Sequence, residues 1–262
     1  MKIAEVDKVT DKYYLLTAFI IASNSITRQY RDSFLGVLWT VIQPSIQVIV
    51  YAVVFSTIMR FPVENYLVYL ISGVLLWGFI SSSLISSANS LIVQHDIIKR
   101  CMISKTVFPI AEVLRSLYTY VVSFLVMYIL ILLFTNHNIG IAIALFPLYL
   151  GAVVITLSSL SVALAFLTPY VRDVVDCINI ALNISFWLTP IVYPIEMIPE
   201  SKRFLFEFNP FYILIRPIVT IIYNNQIPTM YHTITLIALV LVSIVVSYMI
   251  YRLCRRYYVY YL

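Results

Sequence analysis

Charged residues in this chain fall in short clusters, and long uncharged stretches separate them. A membrane-spanning helix needs about 20 apolar residues, because the hydrocarbon layer is about 30 Å thick and each residue adds about 1.5 Å. Residues 33–59 and 66–92 are uncharged and each long enough for one crossing. Residues 116–171 are also free of Asp, Glu, Lys and Arg, but too long for one helix. Asn136-His137-Asn138 and Gly140 interrupt that run with turn-forming residues, so it divides into spans at 108–135 and 140–168. A fifth span is expected over 177–194, where Pro190 and Pro194 mark its end, and a sixth over 229–251.

Two apolar segments do not fit as crossings. Tyr13–Ala22 is about half the required length and runs into Ser23-Asn24-Ser25, which suits a helix lying flat among lipid headgroups. Phe208–Tyr223 holds Asn209, Pro210, Arg216 and Pro217, and reads as a re-entrant or interfacial hairpin within an external region at 195–228. The predicted fold is an all-α membrane protein forming a single transmembrane domain over residues 1–262. Its parts are a cytosolic tail and interfacial helix at 1–32, six transmembrane helices, and an external re-entrant hairpin between spans five and six.

Composition agrees with lipid as the main solvent. Of the 262 residues 62% are hydrophobic and 11% charged, whereas a soluble domain carries about 25% charge. The net charge of +5 forms no basic stripe with interleaved aromatics, which argues against nucleic acid as a partner. Charge instead sets orientation. One side collects Lys2, Lys8, Lys12, Arg28, Arg31, Lys99, Arg100, Lys105, Arg172, Arg252, Arg255 and Arg256. The other keeps Arg60, Lys202, Arg203 and Arg216, so both termini are expected in the cytosol. Tyrosines 257, 258, 260 and 261 beside Arg255 and Arg256 suit an interfacial anchor. The first twelve residues mix acids and lysines and hold no cleavable apolar core. Cys101, Cys177 and Cys254 lack metal-site spacing, and the expected topology puts all three near the reducing side.

Enzyme chemistry finds little support. Glu112 and Arg115 are the only charges well inside an expected span, and three residues apart they lie on one helix face as a helix-end ion pair. No proton relay accompanies them, which weakens an ion-coupled transporter, and His137 and His232 fall in expected external loops. None of Gly36, Gly73, Gly78, Gly140 and Gly151 opens a phosphate-binding GxxxxGK run, so any ATP must bind to another polypeptide. In the loop after span two, Ile97, Ile98, Cys101 and Met102 fall at helical spacing, with Lys99, Arg100 and Lys105 elsewhere. That pattern makes a short amphipathic helix, which either binds headgroups or docks into a partner's groove; spacing favours headgroups. Ser82, Ser86 and Ser90 repeat every four residues on span two, serving close helix packing or a hydroxyl-lined face.

Two motifs carry a resemblance. Tyr30-Arg31-Asp32-Ser33-Phe34-Leu35-Gly36-Val37-Leu38-Trp39 followed by Gln43-Pro44 resembles the start of the first span in type-2 ABC permeases that export O-antigen, teichoic acid or capsule. Leu188-Thr189-Pro190-Ile191-Val192-Tyr193-Pro194, then Ile198-Pro199 and Asn209-Pro210, is similar to that family's end of span five and external hairpin. The O-antigen type matches best, and the resemblance covers essentially the whole chain. It implies a homodimer of this chain, two copies of a separate nucleotide-binding ATPase subunit that hold ATP and Mg, no cofactor or metal on this chain, and a lipid-linked glycan as substrate in the bacterial inner membrane. It also implies energy coupling through the N-terminal helix, with Arg28 and Arg31, and through the loop with His95, Asp96, Ile97, Ile98, Lys99, Arg100 and Lys105. This reverses the headgroup preference. A glycan channel needs aromatic faces and hydroxyls, and Tyr51, Phe55, Phe186, Trp187 and Tyr193 on spans one and five are the candidates. Rival readings are an exporter of small hydrophobic drugs or lipids, and a membrane-embedded glycosyl or acyl transferase.

The expected topology is tested at Cys101. An impermeant thiol reagent applied to intact cells should leave Cys101 unmodified until the membrane is permeabilised, and clear labelling of sealed cells would place the loop on the wrong side.

Overall fold

The structure is a computed structural model that describes residues 13–31, 33–100, 103–134, 140–171 and 173–254. Among these residues every regular element is helical. In chain order they are α1 (Tyr14–Tyr30), α2 (Trp39–Ala52), α3 (Tyr66–Val93), α4 (His95–Arg100), α5 (Val107–Phe134), α6 (Phe146–Leu167), α7 (Val174–Leu188), α8 (Glu200–Glu207), α9 (Pro210–Ile222) and α10 (Met230–Cys254). Cys101, Met102, Asp32, Arg172 and the tyrosine-rich C-terminal segment lie outside the described residues.

Among the described residues five helical stretches are long and apolar enough to cross a membrane: Gly36–Ile58, Tyr66–Val93, Val107–Leu133, Ile141–Leu167 and Met230–Cys254. Hence this is a multi-pass membrane protein. α8 and α9 meet at a bend of 100° and together pass the same test of length and composition, which would make a sixth. The expected fifth span differs from its prediction. Its helix, α7, has 15 residues and stops at Leu188. At 1.5 Å per residue it is about 22 Å long, and residues 189–194 continue without helical structure.

α3 is the centre of the bundle. It packs against α2, α5, α6, α7 and α9, and 78% of its most apolar window is buried. Lipid offers no partner to a freed peptide group, so non-helical backbone at membrane depth survives only where protein satisfies it. α3 does this for residues 189–194. Tyr66 donates its hydroxyl proton to the Val192 carbonyl, and Tyr69 donates to the Tyr193 carbonyl at 2.8 Å with the Pro190 carbonyl 3.3 Å away. Asn209, at the N-terminus of α9, donates to Thr189 Oγ1 at 2.9 Å and caps its own helix by accepting from the Phe211 N–H at 2.9 Å. The segment approaches α3 at Gly73, where an added Cβ would lie 3.2 Å from the Ile191 carbonyl oxygen. Only glycine admits that approach without displacing the segment.

α2 is irregular at both ends. Gly36 enters it with φ of 50°, in the left-handed region glycine tolerates. Its last turn widens to i→i+5 bonding, with the Met59 N–H on the Val54 carbonyl at 3.0 Å. Pro44 interrupts its interior and leaves the Thr40 carbonyl without a helical donor. Ser123 of α5 donates its hydroxyl proton to that carbonyl. The serines of α3 divide in role: Ser83, Ser87 and Ser90 are buried in packing, whereas Ser82 and Ser86 are half-buried at helix edges.

At one end of the bundle Leu91, Phe108, Ala165 and Phe166 form a second small apolar cluster, joined by Ile21 of α1, Ile98 of α4 and Tyr251 of α10. The ends of α3, α6 and α10 and the starts of α4 and α5 therefore share one face, which is the expected cytosolic one.

Tyr69→Phe removes the donor serving residues 190–193 and leaves a buried carbonyl unsatisfied, which costs about 1–3 kcal/mol. The purified variant should melt several degrees lower in detergent, while Tyr248→Phe, at an exposed tyrosine on α10, should melt unchanged.

Candidate functional site

Two regions hold the residues singled out from the sequence, one at each end of the bundle. At the expected cytosolic end, His95–Arg100 forms the short helix α4 directly after α3. Its two isoleucines face different ways. Ile98 packs into the small apolar cluster at that end, and Ile97 is 37% exposed. Asp96, Lys99 and Arg100 are exposed, and His95 Nδ1 lies 3.7 Å from Asp96 Oδ1, a contact that solvent screens. Lys105, in the loop before α5, is half-buried, and that burial pulls its ammonium below its ordinary pKa.

α1 belongs to the same end. Ala18 and Ala22, one turn apart, are buried where α1 packs against α5. The Tyr14 hydroxyl donates to Thr106 Oγ1 at 2.8 Å. Leu15, Leu16, Phe19 and Ile20 remain exposed on the outer face, as an interfacial helix requires. Arg28 and Arg31 are exposed near the end of α1. A groove of about 420 Å³ runs between α1, α4 and α5, and both Arg28 and Ile97 line it. Two of the expected coupling segments are thus brought together by the fold, and Arg28 and Ile97 share one recess.

Arg115 forms the floor of this groove with Glu112. The expected ion pair is present, with Arg115 Nε donating to Glu112 Oε2 at 2.7 Å. The guanidinium does more than neutralise its neighbour. Nη1 donates to Gln29 Oε1 of α1 at 2.8 Å and Nη2 donates to Ser86 Oγ of α3 at 2.9 Å. A planar fork with five donors reaches three helices from three separate nitrogens in one fixed geometry, whereas a lysine would have to serve them from a single nitrogen. Gln29 was not distinguishable from its sequence context, and Ser86 was noted only as part of the serine repeat on span two, because both contacts span distant parts of the chain.

The second region is aromatic. Tyr51 of α2 stacks on Phe186 of α7 with centroids 5.8 Å apart. Phe55 lies 6.3 Å beyond Tyr51, and Phe61 lies 5.2 Å from Phe55. Trp187 meets Phe186 edge-on at 5.1 Å. Tyr193 joins through its hydroxyl, which donates to the Trp187 carbonyl at 2.7 Å. The five predicted channel residues therefore form one connected group. They are not equivalent. Phe186 is 7% exposed and braces the group from within, while Trp187 is 56% exposed. Trp77 of α3 and Phe211 of α9 back Phe186 at 5.8 Å and, through Trp77, 5.2 Å. Both were missed from sequence, since they sit on the second span and on the segment read as a hairpin, not on spans one and five.

Among the described residues no group of His, Cys, Asp or Glu is placed to hold a metal ion.

Comparison with known proteins follows the same lines. Residues 17–223 match the family model described as ABC-2 type transporter. Two relatives from Klebsiella pneumoniae, each named O-antigen export system permease protein RfbA, are 26% and 25% identical over 199 residues, covering 75% of this chain and 76% of theirs. A protein of the same name from Myxococcus xanthus is 26% identical over 214 residues, covering 79% of this chain and 80% of its own. With the match extending from α1 through α9, this chain belongs to the ABC-2 type transporter family of membrane subunits.

Proposed function

We propose that this chain is the channel-forming subunit of an ATP-driven exporter that moves a lipid-linked polysaccharide across the bacterial inner membrane. It works as a homodimer with two copies of a separate ATPase subunit, which carry ATP and Mg. The observation that carries the reading is the connected aromatic group on α2 and α7, in a chain whose relatives are named O-antigen export permeases. Sugar rings present polar edges and C–H faces. Aromatic faces hold such rings weakly and without one fixed register, by analogy with bases on stacking platforms. Weak and repeated contacts suit a polymer too long to be enclosed, since each unit must release as the next arrives. The O-antigen type of glycan is preferred over teichoic acid or capsule because the relatives bear that name.

Energy would enter at the other end. α4 offers an outward isoleucine between exposed charges, a shape suited to a partner's groove. α1 shares that groove and is tied to α3 and α5 through Arg115. A push on α4 or α1 is therefore delivered to α3, which carries the non-helical segment beside the aromatic group. Alternative chemistry as a membrane-embedded transferase would require an acid or histidine at the site, and the aromatic group holds none.

Replacing Tyr51 and Trp187 together by Ala should reduce surface glycan strongly while membrane insertion and co-purification with the ATPase persist; normal surface glycan would remove the channel assignment. Ile97→Asp should weaken co-purification of the ATPase by about tenfold or more, the size expected of one central anchor. Insertion of that variant should be unaffected because Ile97 is partly exposed, and undiminished ATPase recovery would free α4 from the coupling role.

A further inference from the structure

Pro44 has a second consequence besides freeing a carbonyl. Between α1, α2, α3 and α5 lies a cleft of about 210 Å³, which shares Gln29 with the groove at the expected cytosolic end, and Pro44, Thr40 and Ser123 are in its wall. A water occupies about 30 Å³ of liquid, so the space equals about seven waters. That is the scale of one sugar ring and below the 300–1,000 Å³ or so of a drug-sized pocket.

The lining is polar, neutral and aromatic. Gln43 and Gln47 enter from α2, Ser82 from α3 and Thr119 from α5, with Trp39 at the wall. Among the described residues no acidic or basic side chain lines it. Ser116 and Tyr120 of α5 complete its wall, but their hydroxyls are shut off behind it, without accessible surface and without a hydrogen-bond partner among the described residues. Exposed amides and hydroxyls around open space suit a hydrogen-bonding occupant.

The amides make the same point. Gln43 and Gln47 are exposed on a helix that crosses the membrane. They lie seven and eleven residues past Gly36, about 10 and 16 Å along the helix. Amide groups at that depth are unfavourable toward lipid. They also reach the second region. Trp39, Gln43 and Gln47 line the cleft together, and Gln47 Nε2 donates to the Tyr51 hydroxyl of the aromatic group at 3.2 Å. The cleft thus leads from the expected cytosolic end toward the aromatic group.

We infer that this cleft is a saccharide subsite, which takes one neutral sugar ring of the glycan at the inner end of the export path through the exposed amides of Gln43 and Gln47. It rests on the polysaccharide-export reading and adds a place and a chemistry to it. Trp39 supplies the aromatic face and the amides and hydroxyls supply paired donors and acceptors. The absence of charge in the lining suits a neutral ring better than the phosphate of a lipid carrier.

Photo-crosslinking in the intact permease–ATPase complex tests it. p-Benzoylphenylalanine would be placed singly at Gln43, at Trp187, and at Leu148, which is 70% exposed on the far side of the bundle on α6. After irradiation of cells making their own lipid-linked glycan, the permease is purified under denaturing conditions and probed by periodate oxidation and hydrazide staining. Glycan adducts at positions 43 and 187 but not 148 are expected. An adduct at 187 with none at 43 would overturn the subsite and leave the export reading standing. Adducts at neither would remove the reading beneath it as well. Gln43→Leu with Gln47→Leu provides the second measurement. If the amides merely face lipid, water or a second copy of the chain, leucine is tolerated and surface glycan is unchanged, which overturns the proposal. Loss of sugar contacts instead lowers export about tenfold or more, with ATPase co-purification retained.

Discussion

Every peptide group released from a helix inside hydrocarbon must find a partner within the protein, and this single requirement organises the molecule. Among the described residues, two breaks in helical bonding lie beside the groups proposed to carry function, apart from Pro217 within α9. After α7 the backbone runs without helix through residues 189–194, and in α2 Pro44 removes one N–H. Each break is answered by a hydroxyl from a neighbouring helix: Tyr66 and Tyr69 of α3 for the first, Ser123 of α5 for the second. The most buried helix is therefore also the one whose tyrosines serve its neighbours. Its apolar packing and its hydrogen bonding are inseparable, because the hydroxyls reach their carbonyls only when Gly73 lets the segment close to van der Waals distance.

Both breaks lie next to the groups proposed to carry function. The 189–194 segment begins two residues after Trp187 and holds Tyr193. Pro44 sits in the wall of the neutral cleft, where a regular α2 would leave Thr40 bonded to its own helix and Ser123 bonded only to the Thr119 carbonyl of α5. A helix with an intact ladder presents only side chains, at a fixed pitch. Interrupting it changes where the face points and leaves room beside it. The widened turn at Val53–Ile58, which carries Phe55, is a third departure on the same path. Irregularity concentrated along α2 and the end of α7 is what a conduit requires, whereas α6 and α10, which make the opposite side, run without such breaks.

How much of this was legible in the sequence depended on the range of the signal. Charge spacing located the crossings because ionised groups are excluded from lipid over a whole span length, so absence of charge is itself a ruler. The same ruler misjudged 177–194. An uncharged run reports burial in apolar surroundings, and it cannot distinguish helix from extended chain held by another helix's tyrosines. Prolines 190 and 194 signalled an end, but the helix had already stopped at Leu188. Glu112 and Arg115 were readable as a pair from their three-residue spacing. Their links to Gln29 and Ser86 were not, since contacts across 86 and 29 positions leave no local pattern. Likewise Tyr51, Phe55, Phe186, Trp187 and Tyr193 were recognisable as a type, while their backing by Trp77 and Phe211 became visible only in three dimensions.

Linkage between the two ends follows from how stiffly these parts are joined. Arg115 holds α1, α3 and α5 with three charge-assisted bonds at 2.7–2.9 Å, so a displacement of α1 cannot leave α3 behind without breaking them. The same α3 is bonded at its far end to residues 190–193. A rigid helix fixed at both ends transmits movement along its length, whereas a loop would absorb it. In the proposed coupling, α4, joined to α3 at Gln94 and anchored by Ile98, would be the lever on that rod. Its six residues are too few to be stable alone, and without the apolar cluster of Leu91, Phe108 and Phe166 it would yield before α3 moved. On that proposal the inward isoleucine stiffens the lever and the outward one offers the ATPase a grip, so two adjacent residues of one type would have opposite tasks.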